Sequence, residues 1–352
     1  MSGGVDSSVA AALVVQRGYD AVGITLSLWS GSREVVRDRG CCSIDAVEDA
    51  RKVAAGLGLR HYVWNLQQEF EEAVVAEFEN EYAGGRTPNP CVRCNERIKF
   101  GVLLDRARAV GATHVATGHY ARVGRRGAAW TLVRALDRHK DQSYALHRLD
   151  QRQLALSLFP LGALESKGAV RTIAAEMGLA TAAKRDSQDL CLLEGSLSEE
   201  LSRRLSGRFT DGPIVDSTGR EVGRHRGLPF YTVGQRSRLG VAARAPDTPP
   251  LHVIAIRPAD NSILVGPRTE LLRSDVSLQE AHWTDRPPQV GAECAVQLRA
   301  HGDALNATVT SLAGGVTSLR LDEASPNVTP GQFAVLYRGD EVLGGGIVRQ
   351  AA

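Results

Sequence analysis

Nowhere in this chain of 352 residues does an apolar run approach the ~20 residues that a membrane helix needs, and no charged segment followed by an apolar one precedes the first glycines. No membrane partner and no secretory leader are expected, and a cytoplasmic location is the default. A dominant charge is lacking too. The net charge is +2, so the total gives no reason to expect a polyanion partner, and that case must rest on local patches. Lysine is scarce: Lys52, Lys99, Lys140, Lys167 and Lys184 are the only ones among 42 basic residues, a bias in keeping with a GC-rich genome that carries no functional reading. There is no internal repeat. Six cysteines in a chain of this length read as thiols, metal ligands or catalysts rather than as a structural disulfide framework.

What is present is an alternation of helix and strand. The run from Asp6 to Arg17 predicts a helix closed by Gly18, followed by the strand AVGITLSLW. A helix from Asp45 to Leu57 follows, with Asp45 as N-cap and Glu48 three residues on, then the strand HYVWN and a helix from Glu69 to Tyr82. The loop GGRTPNPCVRCN, a helix to Val110 and the strand THVATG complete the pattern, which predicts a doubly wound parallel sheet. From about residue 195 the chain is polar and arginine-rich, and after the breaker run APDTPP it turns to short alternating segments. The expected organisation is an α/β catalytic domain over 1–194, a small central domain over 195–246 and a C-terminal antiparallel β-barrel over 247–352.

The stretch SGGVDSS sets two glycines and small hydroxyl residues at a helix N-terminus, where backbone N–H groups and the dipole favour phosphate. It has no Gly-Lys-Ser/Thr ending, so it is not a Walker loop. Ser2, Gly3, Gly4, Val5, Asp6, Ser7 and Ser8 resemble instead the pyrophosphate loop of the adenylating ATP pyrophosphatases. Such a loop sits at the carboxyl end of a strand, yet only Met1 precedes Ser2. The expectation is a start assigned at a methionine inside a longer sequence, with the first strand of the domain missing.

Cys94 reads as lying just before a helix capped by Asn95, where the helix N-terminus with Arg93 and Arg97 would lower a thiol that is otherwise about 3% ionised at neutral pH. Cys41 and Cys42 read as structural and Cys294 as a core residue, while His61, His114, His147 and His301 read as ordinary histidines.

Taken in order, SGGVDSS, CCS, GRTPNPCVRCNERIKFG, ATGHYARV, DQSYAL, DSQDLC, GLPFYTVGQRSRLG and PGQFAVLY resemble the bacterial tRNA-specific 2-thiouridylases from the first residue to about residue 347. The resemblance implies that ATP, with Mg²⁺, adenylates O2 of the wobble uridine of a tRNA and that a cysteine persulfide then delivers sulfur to C2 with loss of AMP. It implies Cys94 as nucleophile and persulfide carrier. Cys191 would be the second cysteine, which attacks to release the sulfur through a persulfide intermediate and is left in a disulfide with Cys94. By the same implication Met1 and Ser2 to Ser8 bind ATP, together with Leu26, where the family usually has methionine, and Gly118. Asn89, Pro90 and Cys91 match the segment that meets the target base. His119, Asp141, Gln142, Ser143, Arg299, Ala300 and Gln332 match positions that meet tRNA. The implied partners are the anticodon stem-loop of tRNA and a persulfide donor such as a cysteine desulfurase or sulfur-relay protein.

Cys91 departs from the family, many members of which have aspartate there as a proton acceptor. An alternative therefore stands: Cys91, Cys94 and Cys191 could hold an iron–sulfur cluster with one open iron site to carry sulfide, giving the same product. No Cys/His pair completes a four-ligand zinc site. Two further readings are another adenylating pyrophosphatase, such as an amidotransferase-linked synthetase, and an inactive tRNA-binding truncation. Between Arg203 and Arg244 nine arginines face three carboxylates, with His225, Phe230 and Tyr231 interleaved; composition alone weighs a tRNA-gripping surface and a solvated face equally, and the resemblance favours tRNA.

Overall fold

The computed structural model describes residues 1–28, 44–184, 191–193, 195–241 and 249–349. Cys41, Cys42 and most of DSQDLC lie outside the described residues. The chain divides into two compact units, one of Met1–Val75, Cys91–Glu194 and Asp340–Val342, the other of Ala76–Pro90, Gly195–Gly339 and Leu343–Ala352.

In the first unit, helix α1 (Val5–Gln16) follows the glycine loop directly and is buried on Val5, Val9, Ala10 and Ala12. These side chains pack with Val53 of α2 (Ile44–Gly56) and with Val170 and Ala174 of α3 (Lys167–Glu176), at about 1.5–3 kcal/mol for each fully buried valine or larger aliphatic side chain. Asp45 falls within the first turn of α2, one residue past its start at Ile44, so it acts there through the helix dipole rather than as the expected cap. Strand β1 (Val22–Ser27) pairs in parallel with β2 (Arg60–Asn65). Strand β3 (Val115–Ala116) leads into an antiparallel hairpin of β4 (Ala121–Arg126) and β5 (Ala129–Arg134), and pairs in parallel with β6 (Ser157–Leu158). The parallel pairing is the one the alternation predicts; the hairpin was not anticipated.

In the second unit, β7 (Gly212–Val215), β8 (Glu221–His225), β9 (His252–Arg257) and β10 (Ser262–Gly266) form one sheet in the order β8-β7-β10-β9. Its core includes Ile214, Leu228, Tyr231, Val253, Ile256 and Ile263. The boundary expected after residue 246 therefore falls between strands of a single sheet. The reason is the parallel pairing of β10 with β7, which local alternation does not reveal. Strands β11 (Arg273–Trp283), β12 (Glu293–Gln297), β13 (Ala304–Ala313), β14 (Val316–Ser325), β15 (Phe333–Arg338) and β16 (Glu341–Val348) run in the order β11-β14-β13-β12-β15-β16, and β16 returns to β11. This closes a six-stranded antiparallel barrel and removes the free edges that an open sheet would have. Cys294 faces its core, as expected, beside Val296, Val309 and Leu336. Among the described residues, no helix is long and apolar enough to cross a membrane.

Candidate active site

The glycine loop owes its shape to two close approaches. Gly3 has φ +68°, and a Cβ there would lie 2.1 Å from the carbonyl oxygen of Ala46. Gly118, in the turn after β3, is just as confined: a Cβ would lie 2.8 Å from the carbonyl carbon of Asp6 and from the amide nitrogen of Ser7. Gly4 precedes α1 in extended backbone with no side-chain cap, so the helix presents its first-turn N–H groups in the geometry that receives phosphate. The hydroxyls of Ser7 and Ser8 donate to Gly4 O at 3.0 and 2.9 Å, and Ser2 N donates to Ser7 Oγ at 3.0 Å. Thr25 Oγ1 donates to Met1 O at 2.7 Å, which ties the start of the loop to β1, and Leu26 packs on the side of β1 that meets Leu104 and Val115.

Sequence reading missed the partners of Asp6. Lys167 Nζ lies 2.7 Å from both of its carboxylate oxygens, and the Tyr120 hydroxyl donates to Oδ1 at 2.7 Å. Lys167 opens α3 just after the N-cap Ser166, and Tyr120 follows Gly118 and His119, so three separated segments meet under the loop. The one available signal was the rarity of lysine in the sequence.

The cysteines sit on a continuous helical run of Pro90–Arg93, Cys94–Val102 and Leu103–Ala109, whose middle stretch is wound as a π-helix. The expected setting of Cys94 is corrected here. Proline at the first position starts the helix four residues earlier, as its fixed φ favours, so Cys94 lies inside the run and not ahead of it. Asn95 is buried and donates from Nδ2 to Ala145 O at 3.0 Å instead of capping. The two arginines are engaged elsewhere: Arg93 pairs with Glu96 at 3.0 Å, Glu96 also meets Arg148 at 2.7 Å, and Arg97 donates to Ala73 O at 2.7 Å. Arg93 and Arg148 hold the Glu96 carboxyl below its ordinary value against the opposing effect of burial.

Burial dominates the thiols. It pushes Cys94, a free thiol, up to about 12, with Lys99 acting in the opposite sense. Cys91 is exposed on its surface, yet the protein around its sulfur still raises it. The charges of Cys91, Cys94 and Cys191 bear on one another. Among the described residues no group of three or more His, Cys, Asp and Glu side chains is placed to hold a metal ion.

Residues 1–195 match the family described as tRNA methyl transferase HUP domain, 199–267 its PRC-barrel domain, and 273–348 an aminomethyltransferase β-barrel domain. The tRNA-specific 2-thiouridylase of Chloroflexus aurantiacus is 46% identical over 98% of this chain and 96% of its own length. That of Roseiflexus castenholzii is 43% identical, covering 98% of this chain and 97% of its own, and that of Moorella thermoacetica 44%, covering 100% and 99%. The chain belongs to the tRNA-specific 2-thiouridylase family.

The positions that this family implies for tRNA are differently placed. His119 bonds through Nδ1 to Thr117 Oγ1 at 2.8 Å between the rings of Phe100 and Phe159. Desolvation, aided by the charge of Lys99, holds its pKa well below the ordinary value, so it is a neutral imidazole at physiological pH. Asp141 accepts from Ala135 N at 2.9 Å and from Ser143 Oγ at 2.7 Å, and Ser143 is fully buried, which leaves Gln142 as the exposed member of that segment. Arg299, Ala300 and Gln332 are brought into one corner of the second unit. Gln297 Nε2 donates to the carbonyls of Arg299 and Ala300 at 3.0 and 3.1 Å, Arg299 Nη2 to Thr329 Oγ1 at 3.1 Å, and Gln332 Nε2 to Thr87 O at 2.7 Å. Thr87 stands two residues ahead of Asn89, which opens the target-base segment.

The arginine-rich segment is more internally paired than its sequence suggests. Arg203 and Arg204 meet the buried Glu200, Arg204 also meets Glu79 at 2.9 Å, Arg220 meets Asp216 at 3.1 Å, Arg224 meets Asp211 at 2.9 Å, and Arg226 stacks over Phe230 at 4.2 Å. Arg236 and Arg238 are exposed, and Arg244 lies outside the described residues.

Proposed function

We propose that this chain is an ATP-dependent tRNA-uridine 2-sulfurtransferase that adenylates the wobble uridine and transfers persulfide sulfur to its C2, releasing pyrophosphate and AMP. One observation carries the reading: Gly118 and His119 link two chemistries, Gly118 against the backbone of Asp6 and Ser7, and His119 against Phe100 of the cysteine helix.

In this reading the first-turn N–H groups of α1 with Ser2, Ser7 and Ser8 take the phosphates of ATP, Mg²⁺ arrives with the triphosphate, and Gly118 lets its turn lie against the loop beside the nucleotide. Asn89, Pro90 and Cys91 meet the uridine, while Gln142, Arg299, Ala300 and Gln332 hold the tRNA. Cys94 carries the persulfide, whose outer sulfur attacks C2 and expels AMP. The thiolate of Cys191 then attacks the Cys94 sulfur. The S–S bond breaks, its electron pair goes to the transferred sulfur, and the two cysteines become a disulfide that an external dithiol reduces. A cysteine desulfurase or relay protein supplies the persulfide, and the reaction takes place in the cytoplasm.

The test is thiolation of tRNA by the purified chain with ATP, Mg²⁺ and a persulfide donor, following 2-thiouridine by mass spectrometry and iron content in parallel. Cys94→Ser abolishes sulfur transfer and leaves tRNA binding nearly intact; thiolation retained by that variant overturns the assignment. Activity that requires bound iron would instead give Cys91, Cys94 and Cys191 to an iron–sulfur cluster.

A further inference from the structure

The winding of the cysteine helix puts a cation on its sulfur face. In an α-helix of 3.6 residues per turn, residues five apart lie about 140° apart around the axis. In a π-helix the backbone bond spans five residues, as from Leu103 N to Ile98 O, so residues i and i+5 fall on the same face. Cys94 and Lys99 are five apart within the π-wound stretch, and Cys91 is three before Cys94 on the preceding α-turn, so the three share one stripe. Neighbouring cations are directed away: Arg93 and Arg148 to Glu96, and Arg97 to Ala73 O. The charge of Lys99 bears on Cys91, on Cys94 and on His119, the residue next to Gly118. The charge of Lys99 thus bears both on the thiols and on the turn that abuts the phosphate loop.

We propose that Lys99, set over the Cys94 sulfur by one π-turn, is the charge that favours the anion this otherwise neutral sulfur must become in order to attack. The inference rests on the sulfurtransferase reading for its role in catalysis. Its charge effect on Cys94 is testable without any tRNA. The groups that face this sulfur are Cys91, Cys191 and Lys99, with the Arg93–Glu96–Arg148 set on the same run and its neighbour, and His119 beyond Lys99.

The experiment measures the rate of iodoacetamide alkylation of Cys94 against pH in the full chain, by mass spectrometry of tryptic peptides. Cleavage after Arg93 places Cys91 and Cys94 on separate peptides. Lys99→Met moves the Cys94 profile up by about one pH unit, slowing alkylation about tenfold on its rising limb, and Lys99→Arg restores it. Lys99→Gln, which keeps a polar side chain, repeats the shift if the methionine variant folds poorly. Unshifted profiles in Lys99→Gln and Lys99→Met overturn the proposal, as does a shift that Lys99→Arg leaves uncorrected. Where the unaltered chain thiolates tRNA, Lys99→Met lowers kcat at least tenfold with KM for tRNA held. If the unaltered chain fails to thiolate, the alkylation profile still decides the role of Lys99.

Discussion

The carboxylate of Asp6 is committed to the protein, with Lys167 on both oxygens and the Tyr120 hydroxyl on one. These partners lie 161 and 114 residues away, a distance no local pattern spans, so the loop was legible from its spelling while its support was not. Removing either partner leaves a half-buried charge with less compensation. Tyr120→Phe is expected to lower stability by about 1 kcal/mol and Lys167→Met by about 1–3 kcal/mol, and a double-mutant cycle on denaturant midpoints should give a nonadditive sum. ATP affinity, read by calorimetry, falls with Lys167→Met because Asp6 loses the contact that fixes its place in the first turn of α1. The Cys94 environment shows the opposite lesson: its residue type was read correctly, but the thiol-lowering neighbours were already engaged with Glu96 and Ala73.

At the scale of elements, helix α1 was legible as an apolar run closed by Gly18 and the barrel from its short alternating segments, which contribute side chains to one continuous core. The start of the cysteine helix was not, because Asn95 has the chemistry of a cap and only tertiary packing against Ala145 shows that it is interior. The turn that carries Gly118 is the most exacting of the short elements. Gly118→Ala would put a methyl group 2.8 Å from backbone on two residues of the loop, where no flexible side chain can yield. That variant should bind ATP at least tenfold more weakly and lose about 1–3 kcal/mol of stability, measured by calorimetry and urea unfolding. Gly4, whose Cβ would meet only the Ser2 hydroxyl at 3.6 Å, should tolerate alanine far better in the same assays.

For the molecule as a whole, burial raises Cys94 to about 12, Tyr82 to about 12 and Cys294 to about 11, from ordinary values of 9.0 for the thiols and 10.0 for the phenol. Each acid stays neutral in the folded chain at a pH where the unfolded chain would release its proton. The stability they contribute is complete below about pH 9 and is lost as pH rises towards 11 and 12. Thermal midpoints should therefore be unaffected by these groups up to about pH 9 and fall above it, and Tyr82→Phe should make the upper part of that fall shallower. The two units were harder to read than the pH response, because neither is a single stretch of chain: Ala76–Pro90 belongs with residues after 195, and Asp340–Val342 with residues before it. Glu341 and Val342 pair with Val133 and Leu132 of β5, although most of their strand belongs to the barrel. On the ribosome, then, the nucleotide-loop unit cannot finish its native pairing until residue 342 has left the exit tunnel, so vectorial synthesis keeps it waiting until the 195–339 stretch of the other unit has been made.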